Sequence, residues 1–174
     1  MDERFSVRKI VMQSLPNEKD VYRLAYYSER AKRENKEPEI STFAPSVNDN
    51  GKLSVDYEPL TTPEESLARY GATYQGIINQ FKNPHSYSIY SLNIGFLRSF
   101  SCITDIYLSP TVVDPPMKGF PNNPSHSLAE FTEISLEDEP MVFTKIQQHA
   151  IQRKVNPDID KVRVLVREYR AQWG

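Results

Sequence analysis

The sequence has a single cysteine, Cys102, which excludes an internal disulfide. A lone cysteine is more often a small buried apolar side chain than a nucleophile, so we expect Cys102 to lie in the core. None of the six glycines belongs to a GxxxxGKS or GxGxxG pattern, which disfavours a P-loop ATPase and a Rossmann enzyme. The three histidines are far apart and lack the short spacings of metal ligands, so no metal site is predicted.

Charge and hydropathy exclude two further classes of protein. The formal net charge of −2 gives no chain-wide positive field for nucleic acid. No apolar run approaches the ~20 residues of a membrane span, and the start Met-Asp-Glu-Arg does not resemble a signal peptide. We therefore expect a cytoplasmic protein without membrane attachment, and no motif indicates a cofactor. With 39% hydrophobic residues, the chain is expected to form one globular domain over residues 1–174.

Period-two alternation, together with β-branched and aromatic residues, predicts the strands. About five strands are expected, over Leu53–Tyr57, Tyr87–Leu92, Asp105–Val113, Ser127–Phe131 and Lys161–Tyr169. These strands alternate with helical segments along the chain. The predicted fold class is therefore α+β, with a mixed or antiparallel sheet and about three helices.

The helices are predicted from apolar spacing and from capping residues. Apolar positions three and four residues apart after Asp20 predict a first helix, which includes Arg23. A second helix begins at Thr62, because Thr62 and Glu65 have the spacing of a capping box. A third helix is predicted over Met141–Val155, where apolar residues fall on one helical face.

A turn-rich segment from Pro115 to Ser127 delivers His126 to the start of an apolar strand. Its prolines fix φ and remove backbone donors, so its conformation is set by its own sequence. One interpretation makes His126 the base for a nucleophilic serine or Cys102, with Glu130 or Asp114 orienting the imidazole. The other interpretation is structural: His126 forms hydrogen bonds across the strand start, and the neighbouring serines satisfy loop amides.

The end of the chain is basic, with seven Lys or Arg against three acidic residues over residues 141–174. In the predicted last strand, Lys161, Arg163 and Arg167 point to one face, and Trp173 follows. A basic face beside an aromatic side chain suits nucleic acid or an acidic protein partner. The same pattern is also typical of an ordinary solvated face.

Three short motifs carry a resemblance to known proteins. LSVD at residues 53–56, TPEESL at 62–67 and NPSH at 123–126 resemble a group of small uncharacterised bacterial proteins. The likeness extends over roughly residues 40–130. It implies a related fold and no particular activity.

An early arginine, a serine-bearing strand and a glutamate after it are also loosely similar to ADP-ribosyltransferase-like toxins such as the RES-domain family, in which Arg, Ser and Glu handle NAD. This resemblance implies that Arg23 holds a phosphate and that Ser54 lines the nicotinamide pocket. It also implies that Glu64 or Glu65 stabilises the positive charge that develops as the glycosidic bond breaks.

Three functions are compatible with these features. The leading hypothesis is a small cytosolic interaction or accessory protein that docks a protein partner, of the kind found in bacterial conflict or defence systems. It is favoured by the lack of a complete catalytic set and by the ten tyrosines, a residue type enriched at interfaces. The alternatives are an NAD-handling, ADP-ribosyltransferase-like toxin enzyme and a nucleic-acid-binding protein.

Overall fold

The protein is built around one antiparallel sheet. The computed structural model describes residues 12–27, 31, 33–34, 36–46, 50–112, 117, 119–133 and 138–172. Within them the strands are β1 (Asp20–Tyr26), β2 (Lys52–Tyr57), β3 (Tyr74–Gln75), β4 (Gln80–Phe81), β5 (Tyr87–Asn93), β6 (Ile103–Leu108), β7 (His126–Phe131) and β8 (Lys154–Val155). Six strands form the sheet in the order β6-β7-β2-β1-β5-β8, and every neighbouring pair is antiparallel. β3 and β4 form a separate hairpin.

Helices pack on this sheet, which confirms the predicted α+β class. The described residues include four α-helices, namely α1 (Pro63–Gly71), α2 (Ile94–Arg98), α3 (Glu139–Gln152) and α4 (Ile159–Gln172). The main sheet has six strands where about five were predicted, and it is wholly antiparallel. Within the described part of the chain, no helix is both long enough and apolar enough to cross a membrane.

The helix predicted after Asp20 is wrong, because this segment forms β1. β1 is a central strand that pairs with β2 on one side and β5 on the other. Val21 and Ala25 are buried on one face of the sheet, and Tyr22 is buried on the other. Burial on both faces produces apolar spacings of three and four, which imitate a helix. Arg23 consequently lies on a strand.

The strand predicted over Lys161–Tyr169 is also wrong, because this segment belongs to α4. Val162 and Val166 are buried, whereas Val164 between them is exposed. A strand would place all three valines on one face, but a helix places only residues four apart together. The buried pair packs against α1.

The remaining predicted elements occur close to their expected positions. α1 begins with the predicted capping box, in which Thr62 accepts from the Glu65 N–H and the Glu65 carboxylate accepts from the Thr62 N–H. β6 covers Ile103–Leu108 where Asp105–Val113 was predicted. β2, β5, β7 and α3 occupy the segments in which strands and a helix were expected.

Two hydrophobic clusters lie against the sheet. The larger one joins the sheet to α2 and α3 and contains Cys102, which is buried as predicted. The smaller one joins α1 to α4 through Leu67, Ala68, Val162 and Val166, with Leu24 and Tyr87 of the sheet packed beside it. α1 therefore lies over the face of the sheet that carries Leu24, at one side of the cleft described below.

Two glycines near the β3–β4 hairpin provide a matched test of this packing. Gly119 has a φ of +75°, and a Cβ there would lie 2.1 Å from the Cβ of Tyr74, whereas a Cβ at Gly76 would meet nothing within 4 Å. We expect Gly119→Ala to lower the free energy of unfolding by about 1–3 kcal/mol and Gly76→Ala to change it by less than about 1 kcal/mol. Urea denaturation measures both values, and equal effects would contradict the close packing of Gly119 on the hairpin.

Candidate functional site

A gap between two central strands forms the floor of the main cleft. β1 and β2 pair over only two positions, Val21 with Tyr57 and Tyr22 with Asp56. Beyond this pairing, the guanidinium of Arg23 lies between the strands. Its Nη1 donates to the carbonyl of Ser54 at 2.8 Å, and its Nε donates to the carbonyl of Thr42 at 2.9 Å. Arg23 therefore supplies donors to the carbonyl of Ser54, which β1 does not reach at this point, and to the carbonyl of Thr42 in the 3-10 helix Ile40–Phe43.

The cleft above this floor has a volume of about 640 Å³. Strands β1, β2 and β7 supply its base, α1 supplies one wall, and residues near the β3–β4 hairpin complete it. The lining includes the charged side chains Arg23, Asp56, Arg69 and Lys82, and it also includes Ser54 and His126. Small-molecule sites commonly have volumes of roughly 300–1,000 Å³, so the cleft is large enough for a ligand of that size.

Ser54 and His126 face each other in the cleft. Asp56 pairs directly with His126 across β2 and β7, and Ser54 lies two residues from Asp56 on the same face of the sheet. The Oγ of Ser54 is 3.3 Å from the Nε2 of His126, and the Nδ1 of His126 is 2.6 Å from the carbonyl oxygen of Ser109. A carbonyl oxygen only accepts, so Nδ1 carries the hydrogen, and the lone pair on Nε2 accepts from the Ser54 hydroxyl. This is the arrangement of a nucleophile or proton relay beside an oriented base.

A buried polar network holds the segment that leads into His126. The carboxylate of Asp56 accepts from the Ser66 hydroxyl and from the Asn123 amide, the latter at 2.7 Å. The side-chain oxygen of Asn123 accepts from both the N–H and the hydroxyl of Ser125. The Nη2 of Arg69 donates to the same hydroxyl at 2.9 Å. The network thus links β2, α1 and the residues just before β7.

The cleft is cationic. Its lining among the described residues includes Arg23, Arg69 and Lys82 and one carboxylate, that of Asp56. Arg69 is only 8% exposed, and its Nε has no hydrogen-bond partner within the described part of the chain. Lys82 is half-buried with its Nζ 3.9 Å from the centre of the Tyr70 ring, and burial lowers its pKa. Neither Arg69 nor Lys82 forms an ion pair within the described residues, and their positive charge favours an anionic ligand.

Tyrosine rings provide the apolar surface of the cleft. The rings of Tyr70 and Tyr87 pack edge to face with their centres 4.4 Å apart, and Tyr26 packs against Tyr87 in the same way. Burial, with Glu58 nearby, raises the pKa of Tyr22 to about 12. Burial also raises the pKa of Tyr87. Tyr22 and Tyr87 are therefore neutral at physiological pH, and the tyrosines of the cleft present aromatic surface and hydroxyl groups to a ligand.

The structure does not bring Glu64 and Glu65 into this cleft. Glu65 completes the capping box of α1. Glu64 accepts the backbone N–H of Asp158 at 2.9 Å, and its carboxylate lies 4.0 Å from the Nζ of Lys161. Both carboxylates thus have structural partners at the start of α1, and Asp56 is the carboxylate that lines the cleft.

The other sequence candidates lie away from Ser54 and His126. Cys102 belongs to the hydrophobic core. Glu130 lies 3.8 Å from the Nζ of Lys52, and the group that orients His126 is the Ser109 carbonyl. Asp114 lies outside the described residues.

The basic residues of the chain end occupy a helix rather than the predicted strand. On α4, Arg163 and Arg167 are four residues apart and share a face, whereas Lys161 points elsewhere, towards Glu64. Arg163 pairs with Asp160 at 2.9 Å. Lys161 therefore does not share a face with Arg163 and Arg167, contrary to the prediction. Trp173 lies outside the described residues.

Several cleft residues had no clear signal in the sequence. Asp56 could have been identified from the sequence, because it lies two residues from Ser54 in a predicted strand and so faces the same side of the sheet. Arg69 lies on α1 and Lys82 directly follows β4. In the sequence, a charged residue at either position indicates only a solvent-exposed side chain. The role of Ser109 belongs to its backbone carbonyl, which no sequence motif encodes.

Within the described residues, no group of three or more His, Cys, Asp or Glu side chains converges as metal ligands would. Comparison of the chain with protein-family models, curated proteins and solved structures gave no match. The chemistry of the cleft is therefore inferred from its own geometry.

The pairing of Glu64 with the segment before α4 predicts a pH-dependent stability. Burial by itself would raise the pKa of Glu64, but the Asp158 N–H, with Lys161 nearby, holds it below the ordinary 4.5. A lowered folded-state pKa stabilises the fold above the unfolded-state pKa, and this contribution disappears as pH falls through the folded-state value. At pH 7 we expect Glu64→Gln to be less stable by roughly 1 kcal/mol.

Denaturation of both proteins across the acid range measures this contribution. The difference between wild type and Glu64→Gln should shrink as pH falls below 4.5. A difference that is independent of pH would contradict the charged contact.

Proposed function

We propose that the protein is an NAD-cleaving enzyme of the ADP-ribosyltransferase-like type, which breaks the bond between nicotinamide and ribose. The observation that supports this best is the meeting of Arg23, Ser54 and His126 in one cleft, with Ser54 hydrogen-bonded to an oriented imidazole. The resemblance to this class named Arg23 and Ser54, and Arg23 lies on a strand adjacent to that of Ser54.

The cleft chemistry suits a dinucleotide. NAD combines two phosphates with two flat ring systems. Arginine and lysine bind phosphate through charge-assisted hydrogen bonds, and tyrosine rings stack with bases. The cleft offers three cations and a group of tyrosines beside the Ser54–His126 pair. Positive charge and aromatic surface are thus present at the place where proton transfer is possible.

The reaction needs one bond to break and one to form at the ribose carbon. Nicotinamide leaves with the electron pair of the glycosidic bond, and positive charge develops on the ribose. Water or an acceptor hydroxyl then forms the new bond to that carbon and must lose a proton. Ser54 accepts this proton while its own hydrogen passes to the Nε2 of His126, which releases it to solvent afterwards.

Stabilisation of the developing positive charge is assigned to Asp56. A carboxylate near an oxocarbenium-like centre lowers the barrier by electrostatic attraction. The resemblance gave this role to Glu64 or Glu65, but Asp56 is the carboxylate on the lining of the cleft. Hydrogen bonds from Ser66 and Asn123 hold its position.

The two other hypotheses have less support. Docking of a protein partner stays a prediction, since no surface among the described residues identifies a partner. Binding of nucleic acid through the chain end also stays a prediction, and the division of Lys161 from Arg163 and Arg167 on α4 weakens its basis.

Nicotinamide release from NAD, followed by chromatography, tests the proposal. Ser54→Ala and His126→Gln should each lower the rate by about 10²–10⁴-fold, because each removes the proton relay. Ser109→Ala is the matched control and should stay active, since it keeps the carbonyl that orients His126. No release by the wild type, combined with labelling of Ser54 by a fluorophosphonate probe, would contradict the proposal and indicate acyl transfer.

The double variant Glu64→Gln with Glu65→Gln separates the cleft assignment from the one implied by the resemblance. Glutamine at position 65 can still complete the capping box, so the fold should be retained. We expect nicotinamide release to survive in this variant and to be lost in Asp56→Asn. Loss in the double variant, with a wild-type circular dichroism spectrum, would return the catalytic carboxylate to Glu64 or Glu65.

A further inference from the structure

The cleft wall formed by α1 and the β3–β4 hairpin carries two positive charges, those of Arg69 and Lys82. Arg69 lies on α1, and Lys82 follows β4, with the ring of Tyr70 beneath the Lys82 ammonium. No ion pair of Arg69 or Lys82 is found within the described part of the chain. Both side chains line the cleft.

Within the part of the chain that the structure describes, the hydrogen-bond partners of Arg69 are neutral hydroxyl groups. Its Nη2 donates to the hydroxyls of Thr61 and Ser125, and it also contacts the hydroxyl of Tyr169. A guanidinium that is 8% exposed, with an unpartnered Nε, is an expensive feature in a folded protein. Because no ion pair within the described residues neutralises the positive charge of Arg69, this charge raises the electrostatic potential in the cleft.

Lys82 is the cation of this wall that a ligand can reach. Its backbone N–H donates to the Thr73 carbonyl at 2.9 Å, which ties the residue to the end of α1. Its ammonium lies 3.9 Å from the centre of the Tyr70 ring, and the edge of Tyr87 packs against that ring. An ammonium over an aromatic ring is attracted by the ring without using a hydrogen-bond acceptor, so its N–H groups that do not face the ring can donate to phosphate oxygens.

We propose that Lys82, supported by the field of Arg69, forms a subsite for the diphosphate of a nucleotide ligand. The identity of the ligand as NAD rests on the proposed function, but recognition of a diphosphate by this wall does not. Arg23 already donates through Nε and Nη1 to backbone carbonyls, so the diphosphate is assigned to the wall of Arg69 and Lys82. This subsite makes the cleft selective for ADP-ribose over adenosine.

Isothermal titration with ADP-ribose and with adenosine tests the subsite. Wild type should bind ADP-ribose at least about tenfold more tightly than adenosine, and Lys82→Met should remove most of that difference. Lys82→Arg should retain it. Lys154→Met is the matched control, because Lys154 also lies over a tyrosine ring, that of Tyr27, but lines a different cavity. Unchanged ADP-ribose binding by Lys82→Met, or equal binding of both compounds by wild type, would overturn the subsite.

Inorganic pyrophosphate provides a probe that does not depend on a folded variant. It should compete with ADP-ribose for the wild-type protein and should not affect binding of adenosine. Lack of competition would overturn the proposal even if Lys82→Met fails to fold.

The failure of this subsite can be distinguished from failure of the proposed function. Lys82-dependent binding of ADP-ribose without release of nicotinamide from NAD would support the subsite and contradict NAD cleavage. Release of nicotinamide with an unchanged KM in Lys82→Met would support cleavage and contradict the subsite. A raised KM with a nearly unchanged kcat is the result expected if both are correct.

Discussion

The guanidinium of Arg23 is the constraint on which the cleft depends. β1 and β2 are adjacent in the middle of the sheet, yet they pair over only two positions. Arg23 lies where the pairing stops and supplies donors to the carbonyls of Ser54 and Thr42. Leaving buried carbonyls without donors is costly, so the arginine stabilises an opening that a continuous ladder would close. Ser54 is held at the edge of this opening by its own backbone.

The position of His126 follows from β7, which pairs with β2 on the side away from β1. β7 pairs with β2, so His126 lies across from Asp56 and diagonally across from Ser54. The backbone of Ser109 fixes the imidazole twice, since its carbonyl accepts from Nδ1 and its N–H donates to the His126 carbonyl. Neutral backbone groups orient the ring here, and the Ser109 carbonyl fixes Nδ1 as the nitrogen that carries a hydrogen. The conformation of the residues before His126 is supported by Asn123 and Ser125 as well as by the prolines.

The sequence predicted local features better than long-range ones. The capping box at Thr62 was predictable because its donors and acceptors lie within three residues. β1 was not, because a strand buried on both faces and an amphipathic helix share apolar spacings of three and four. The α4 segment was ambiguous for the converse reason, since Val162 and Val166 share a face in either element. In both cases the partners that decide the element are distant in sequence.

The candidate site shows the same difference between local features, which the sequence predicts, and long-range contacts, which it does not. Arg23, Ser54 and His126 were each identified as candidates, but for two unrelated schemes. Their convergence depends on the pairing of β2 with both β1 and β7, which spans more than seventy residues of sequence. Glu64 and Glu65 were selected by a motif whose purpose in the fold is to begin a helix. Arg69 and Lys82 could not be chosen from sequence, because an uncompensated buried cation is recognised only when its surroundings are known.

The central claim is that His126 presents an unprotonated Nε2 to the Ser54 hydroxyl inside a cationic cleft. Two-bond proton–nitrogen correlation spectra of the nitrogen-15-labelled protein, assigned with the His126→Gln variant, measure this tautomer directly. The account predicts that the neutral form of the ring carries its hydrogen on Nδ1, and that Ser54→Ala shifts the Nε2 resonance much more than that of Nδ1. A hydrogen on Nε2, or an Nε2 resonance that does not respond to loss of the Ser54 hydroxyl, would contradict it.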